Sequence, residues 1–328
     1  MSDQLNMSGQ KVSGNKTLLI IIILLVVIIA GGIIFWYMGS SNEKPAINSQ
    51  ISVPQGAGQS KNSDEFNWST MDQGPYKDRV LYALGNSLTS WVDSGKVLAE
   101  HASVPEVIVK DGVIYIYFVD VSIDGKPEQI GLLKSNDNGA TWSEKQIITI
   151  KGLGSKIAVD PDPYLLGDGK IRLYYFDIST TKTEGLKNNA IYSAISTDGI
   201  NFTEEEGTRF KYAAIFDPDV IKVGDIWRMY VGTDDQKVLS ATSNNGLNFN
   251  YEGIALNQGS IPNVVYENDT YYLFTGGIEI STSKDGKTFT KTSERFDVGR
   301  LTADPGVAKL NNGQYFMVYK TKDEIPKQ

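Results

Sequence analysis

VDPDPYLLGDGKIRLYYFD, residues 159–177, carries the pattern on which most of the chain is built. A proline flanked by carboxylates is followed by a short apolar run, an Asp-Gly turn and an aromatic-rich run. The same order recurs in SVPEVIVKDGVIYIYFVD (103–120), FDPDVIKVGDIWRMYVG (216–232), IPNVVYENDTYYLFTGG (261–277) and ADPGVAKLNNGQYFMVYK (303–320). Their prolines, at 105, 161, 218, 262 and 305, stand 56, 57, 44 and 43 residues apart, a spacing at which self-similarity marks a propeller or a solenoid. Each copy reads as strand, tight turn, strand. Asp111-Gly112, Asp168-Gly169 and Asn312-Gly313 reach the positive φ of hairpin turns at little cost. The flanking runs are rich in Val, Ile, Tyr, Phe and Trp and carry no apolar 3.6-residue period. Five such hairpins predict an all-β, five-bladed β-propeller over residues 79–328.

A second element repeats after four of the hairpins: SNDNGATW (135–142), STDGINF (196–202), SNNGLNF (243–249) and STSKDGKTF (281–289). The first resembles an Asp-box, the turn between the outer two strands of a propeller blade, and the others resemble degenerate copies. Asp and Asn side chains in such a turn bond backbone N–H groups, Gly takes the left-handed position, and the aromatic packs beneath. It is a folding device, not a catalytic one.

The rest of the chain bounds the chemistry. The 328 residues carry a net charge of −8 with no basic cluster, so the footprint of nucleic-acid binding is missing. With no cysteine and one histidine, His101, thiol catalysis, disulfides and Cys- or His-rich metal sites are excluded. Residues 1–16 read as a polar cytoplasmic tail. Residues 17–38, TLLIIIILLVVIIAGGIIFWYM, form an uncharged run long enough to cross a hydrocarbon core of about 30 Å. A cleaved signal peptide would have a shorter apolar region and a small-residue cleavage site, so an uncleaved signal anchor is expected. Lysines 11 and 16 before the span and mixed charge after it place the N-terminus in the cytoplasm and the rest outside. Residues 39–78, rich in Ser, Asn, Gln, Gly and Pro, read as a flexible linker. Because the last copy of the repeat lacks an outer segment, residues 82–98 are expected to supply the outermost strand of that blade and close the ring.

Candidate chemistry gathers at the start of the inner strands. There stand Glu106, Asp160 and Asp162, Asp217 and Asp219, Asn263 and Asp304, with His101 four residues ahead of Pro105. Carboxylates converging from separate blades raise one another's pKa, and glycoside hydrolysis needs one protonated and one ionised carboxyl. Asp160, Asp217, Asp304 and Glu106 are the candidate acid/base set. His101, Asp162, Asp219 and Asn263 are the candidate substrate contacts. An Asp beside Pro at a strand start is equally a turn former whose side chain caps nearby amides. No cofactor or metal ligand set is expected, although oxygen-only ligands make a central Ca2+ chemically reasonable.

Asp-Pro motifs followed by Asp-Gly hairpins with aromatic strands resemble the five-bladed propeller glycosidases of the arabinanase and β-xylosidase type, over residues 79–322. That resemblance implies an Asp base, an Asp that tunes pKa and a Glu acid on separate inner strands. VDPDPYLLGDGK matches the tuning motif at Asp160 and ADPGVAKLNNGQYFMVYK the base motif at Asp304; the acid motif is replaced by FDPD, with Asp217. Sialidases also carry Asp-boxes, but none of the six arginines here sits at a repeated position where their arginine triad would be. Two functions follow as expectations. One is a membrane-anchored extracytoplasmic glycoside hydrolase acting, through a carboxylate-lined central funnel, on arabinose- or xylose-type linkages or a related glycan; the other is a non-catalytic surface propeller that binds carbohydrate or protein.

Overall fold

The computed structural model describes residues 74–123, 126–184 and 189–323. The tail, the 17–38 span and all but the last five residues of the 39–78 linker lie outside the described residues. Among the described residues no helix is long and apolar enough to cross a membrane.

The repeat folds as five sheets, one per copy, antiparallel throughout except for one short strand. The first has β3 (Ala102–Lys110), β4 (Val113–Asp120), β5 (Gln129–Ser135) and β6 (Gln146–Ile147). In the second, β8 (Ala158–Leu165), β9 (Ile171–Asp177), β10 (Asn189–Ser196) and β11 (Asn201–Glu204) are extended by β7 (Thr149–Lys151), parallel to β11, and by β12 (Phe210–Tyr212) against β10. A short helix, α1 (Ser179–Glu184), lies between β9 and β10. The third runs from β13 (Ile215–Val223) and β14 (Ile226–Thr233) to β15 (Val238–Ser243) and β16 (Asn250–Leu256). The fourth runs from β17 (Asn263–Glu267) and β18 (Thr270–Thr275) to β19 (Glu279–Ser283) and β20 (Thr290–Arg295).

The fifth blade is shared by sequence-distant parts of the chain. Its inner strands are β21 (Ala303–Lys309) and β22 (Tyr315–Thr321), and its outer strands are β1 (Arg79–Ser87) and β2 (Ser90–Glu100), in the order β2-β1-β22-β21. The sequence predicts one donated strand; the structure has two. The segment from residue 79 turns at Leu88 and Thr89, so that β1 pairs with β22 from Arg79 to Gly85 and β2 folds back on β1. The inner strands β3, β8, β13, β17 and β21 contact one another in that order, and β21 returns to β3. The chain is therefore a closed five-bladed propeller.

Packing between blades accounts for the core. One apolar cluster joins Val80, Tyr82 and Phe316 to Ile114, Ile116 and Phe118, and a second joins Ile130 and Leu132 to Ile171, Leu173 and Tyr175. Tyrosines also bridge adjacent blades. The hydroxyls of Tyr117, Tyr174 and Tyr230 donate to the carbonyls of Gly199, Gly246 and Gly286 at 2.9, 2.7 and 2.7 Å. Each acceptor is the glycine of a turn in the next blade, held in the left-handed region with φ of 74, 70 and 71°. Ser196, Ser243 and Ser283 fasten those turns by accepting the glycine N–H at 2.9, 3.1 and 3.0 Å. Satisfying buried hydroxyls on neighbouring turns fixes the angular spacing of the blades as well as their contact.

Candidate active site

The residue before the proline has a positive φ in all five copies: Val104 (47°), Asp160 (51°), Asp217 (47°), Ile261 (59°) and Asp304 (50°). Such a conformation costs on the order of 1–3 kcal/mol for a non-glycine residue, most for β-branched Val and Ile, and persists only where the surroundings enforce it. Register shifts at this point interrupt β3, β8, β13 and β21. The resulting bulge re-aims the inner strand where the blades converge.

The residues before the prolines meet across blades. The Asp217 N–H donates to Asp160 Oδ2 at 3.3 Å, and the Val104 N–H donates to Asp304 Oδ2 at 3.2 Å. The two carboxyls lie close enough that each acts on the other. Both are half-buried. Burial pushes the Asp160 carboxyl up to about 7. Burial, then the Asp160 and Asp304 charges, push Asp217 well above the usual carboxylate range.

Asp304, 3 % exposed, lies against a cation instead. Lys320 Nζ stands 2.8 Å from Asp304 Oδ2 and 3.3 Å from Asp78 Oδ2, and donates to Ser103 Oγ at 3.1 Å. Ser103 Oγ donates to Asp78 Oδ2 at 2.8 Å. Burial works to lower the Lys320 pKa, but the Asp304 and Asp78 carboxylates outweigh it and hold the ammonium firmly protonated.

Glu106 does not join these three. It belongs with the residues after the prolines: Glu106, Asp162, Asp219, Asn263 and Gly306 on β3, β8, β13, β17 and β21. Asn263 Nδ2 donates to both Glu106 carboxylate oxygens at 3.3 and 3.2 Å and to Asp219 Oδ1 at 3.0 Å, while Asp219 Oδ2 accepts the Val264 N–H at 3.1 Å. Gly306 leaves room for this arrangement, since a Cβ there would stand 2.6 Å from Glu106 Oε2. Burial first, then mutual repulsion, pushes Glu106 far up; burial raises Asp162 and Asp219 as well. Asp162 Oδ2 and Asn263 Oδ1 are buried without a hydrogen-bond partner. Among the described residues no group of three or more His, Asp or Glu side chains is arranged to hold a metal ion. His101 sits at the β2–β3 turn with Nδ1 2.6 Å from the Tyr76 carbonyl.

Sequence reasoning missed Lys320, Asp78 and Ser103. A signal existed for the lysine. The register that pairs Ala303 with Lys320 pairs Ser103 with Val119, Val159 with Phe176 and Phe216 with Gly232, so a charge stands where other blades are uncharged. A charge at an inward strand position is tolerated only when paired.

The chain matches no protein-family model and no curated protein sequence. Solved structures do match. The Bombyx mori GH32 beta-fructofuranosidase BmSUC1 aligns with a TM-score of 0.53 and 16 % identity over 73 % of this chain and 56 % of that one. The chain thus spans little more than half of that enzyme. A thermostable family-43 glycoside hydrolase aligns with a TM-score of 0.53 and 13 % identity, over 69 % of this chain and 94 % of that one. An endo-1,4-beta-xylanase from Bacteroides thetaiotaomicron VPI-5482 aligns with 0.51 and 16 %, over 65 % and 82 %. At these identities the likeness is one of fold: a five-bladed propeller of the architecture found in glycoside hydrolases.

Proposed function

We propose that this propeller is a membrane-anchored, extracytoplasmic glycoside hydrolase that engages its glycan through Asp160, Asp217 and Asp304. The observation that carries the reading is the contrast between two carboxyl environments on the same bulge. Asp160 accepts the Asp217 N–H and both carboxyls are pushed upward by burial, whereas Asp304 is paired with the Lys320 ammonium. Pairs of carboxyls in contrasting environments are how one site supplies an acid and a base at the same pH. In this reading Asp217 donates a proton to the leaving oxygen as the glycosidic C–O bond breaks, and Asp160 keeps that proton in place. Asp304 takes a proton from the water that attacks the sugar carbon. Membrane attachment through residues 17–38 rests on the hydropathy of that stretch.

Asp217→Asn is expected to lower hydrolysis of arabino- and xylo-oligosaccharides by about 10²–10⁴-fold, the usual worth of a general acid. Its Tm should stay within about 2 °C of the parent, because the amide keeps the shape and most of the hydrogen bonding. Turnover that survives the substitution overturns the acid assignment. A second reading, a propeller that binds glycan without cleaving it, is favoured by the shorter Asp217 at the acid position and by Asp160 and Asp304 accepting backbone N–H groups. Saturable oligosaccharide binding by the parent protein with no product formed selects it.

A further inference from the structure

We propose that Lys320 is a positioning residue for Asp304, fixing its carboxylate so that Oδ1 takes up the proton, and that Asp78 competes with Asp304 for the same ammonium. The proposal rests on the acid/base reading above and assigns a role to three residues outside the repeated motif.

The geometry carries it. Lys320 Nζ at 2.8 Å, the Val104 N–H at 3.2 Å and Ser103 Oγ at 3.4 Å all meet Asp304 at Oδ2. With Oδ2 engaged on that side, Oδ1 is the oxygen left for a proton acceptor's work. Lys320 is placed for this by β-sheet register: it pairs with Ala303 on the neighbouring strand, next to Asp304. Asp78, 6 % exposed, reaches the same ammonium from the segment just before β1. Ser103 on β3 ties Asp78 into the cluster. The site therefore draws on both ends of the fifth blade and on the blade beside it.

The charges around Asp304 set the signs of the test. On β22 stands Lys320, ahead of β1 stands Asp78, and from β8 and β13 the Asp160 and Asp217 carboxyls act on the same cluster. One ammonium serves two close carboxylates. Removing it leaves a cluster of like charges; removing Asp78 leaves the ammonium to Asp304 alone. An opposite charge within about 4–6 Å favours the ionised form of a carboxyl, and a like charge disfavours it. Lys320→Met and Asp78→Asn should therefore shift proton uptake at Asp304 in opposite directions.

The experiment is a pH titration of the full-length protein labelled at the aspartate carboxyl carbons, followed by NMR, with the Asp304 resonance assigned by its loss in Asp304→Asn. Lys320→Met should move the Asp304 midpoint up by about one pH unit or more, Lys320→Arg should restore it, and Asp78→Asn should move it down. An unmoved midpoint in Lys320→Met, or shifts of the same sign in Lys320→Met and Asp78→Asn, overturns the proposal. Should Lys320→Met fail to fold, Asp78→Asn decides alone, and no downward shift overturns the proposal. Opposite shifts in a protein that hydrolyses no arabino- or xylo-oligosaccharide uphold the electrostatic arrangement and remove the enzyme reading. Hydrolysis with an unmoved midpoint does the reverse. If hydrolysis is measured, Lys320→Met should lower kcat by about 10–100-fold with KM little changed, the split expected when a contact acts in the transition state.

Discussion

Asp160 couples the candidate site to pH. Its carboxyl is pushed up to about 7 in the fold, above an unfolded value near 4. Below about pH 4 both states hold the proton and the group contributes nothing. Between about pH 4 and 7 the unfolded chain ionises while the folded chain keeps its proton, so unfolding releases a proton and stability falls as pH rises; above about pH 7 the loss is constant. Asp160→Asn keeps an acceptor for the Asp217 N–H and removes the titration. Denaturant unfolding should find the variant no more stable than the parent at pH 4 and more stable at pH 8, by up to about 4 kcal/mol. A gain that is equal at both pH values would mean that Asp160 does not hold a proton in the fold.

At the level of single elements, the bulge at the start of β3, β8, β13 and β21 does two jobs. It turns the residue before the proline toward its neighbours, and it lets the inner strands approach closely. Gly306 marks the closest approach. A Cβ there would meet Glu106 Oε2 at 2.6 Å and, at 2.9 Å each, the Glu106 Cα and the Pro105 carbonyl. Two of those three atoms are backbone, so β3 and β21 would have to separate. Gly306→Ala is expected to cost about 2–3 kcal/mol as an overpacked contact. The effect is checked by the midpoint of urea unfolding, where an unchanged midpoint would show that the strands have room to yield.

Across the molecule, ring closure depends on segments more than 200 residues apart in sequence. Asp93 on β2 accepts from the Tyr319 hydroxyl of β22 at 2.6 Å and from Arg300, which also donates to Tyr319 at 2.7 Å. Asp93→Ala strands a guanidinium and a hydroxyl that are largely shielded from water, a loss of about 2 kcal/mol. For a domain of this size it should lower Tm by about 4–8 °C in thermal unfolding followed by circular dichroism. Because the donated strands β1 and β2 complete the fifth blade, the melt should remain a single transition.

Much of the architecture is legible in the sequence because its signals are local. Pro105, Pro161, Pro218, Pro262 and Pro305 count the blades, the Asp-Gly and Asn-Gly turns place the hairpins, and Ser-Asp-Gly turns such as 196–199 reveal themselves by composition. The candidate aspartates 160, 217 and 304 are legible for the same reason, since each sits beside a repeated proline. What the tertiary structure alone decided lies between blades. It placed Glu106 with Asp162, Asp219 and Asn263 instead of with those aspartates, and it donated two strands to the last blade instead of one. It also brought Lys320 and Asp78 to Asp304. The physical reason is that sequence period fixes which way a side chain leaves its strand, whereas bulge geometry and strand register fix which neighbour it meets. Those are properties of the closed ring, and no single repeat contains them.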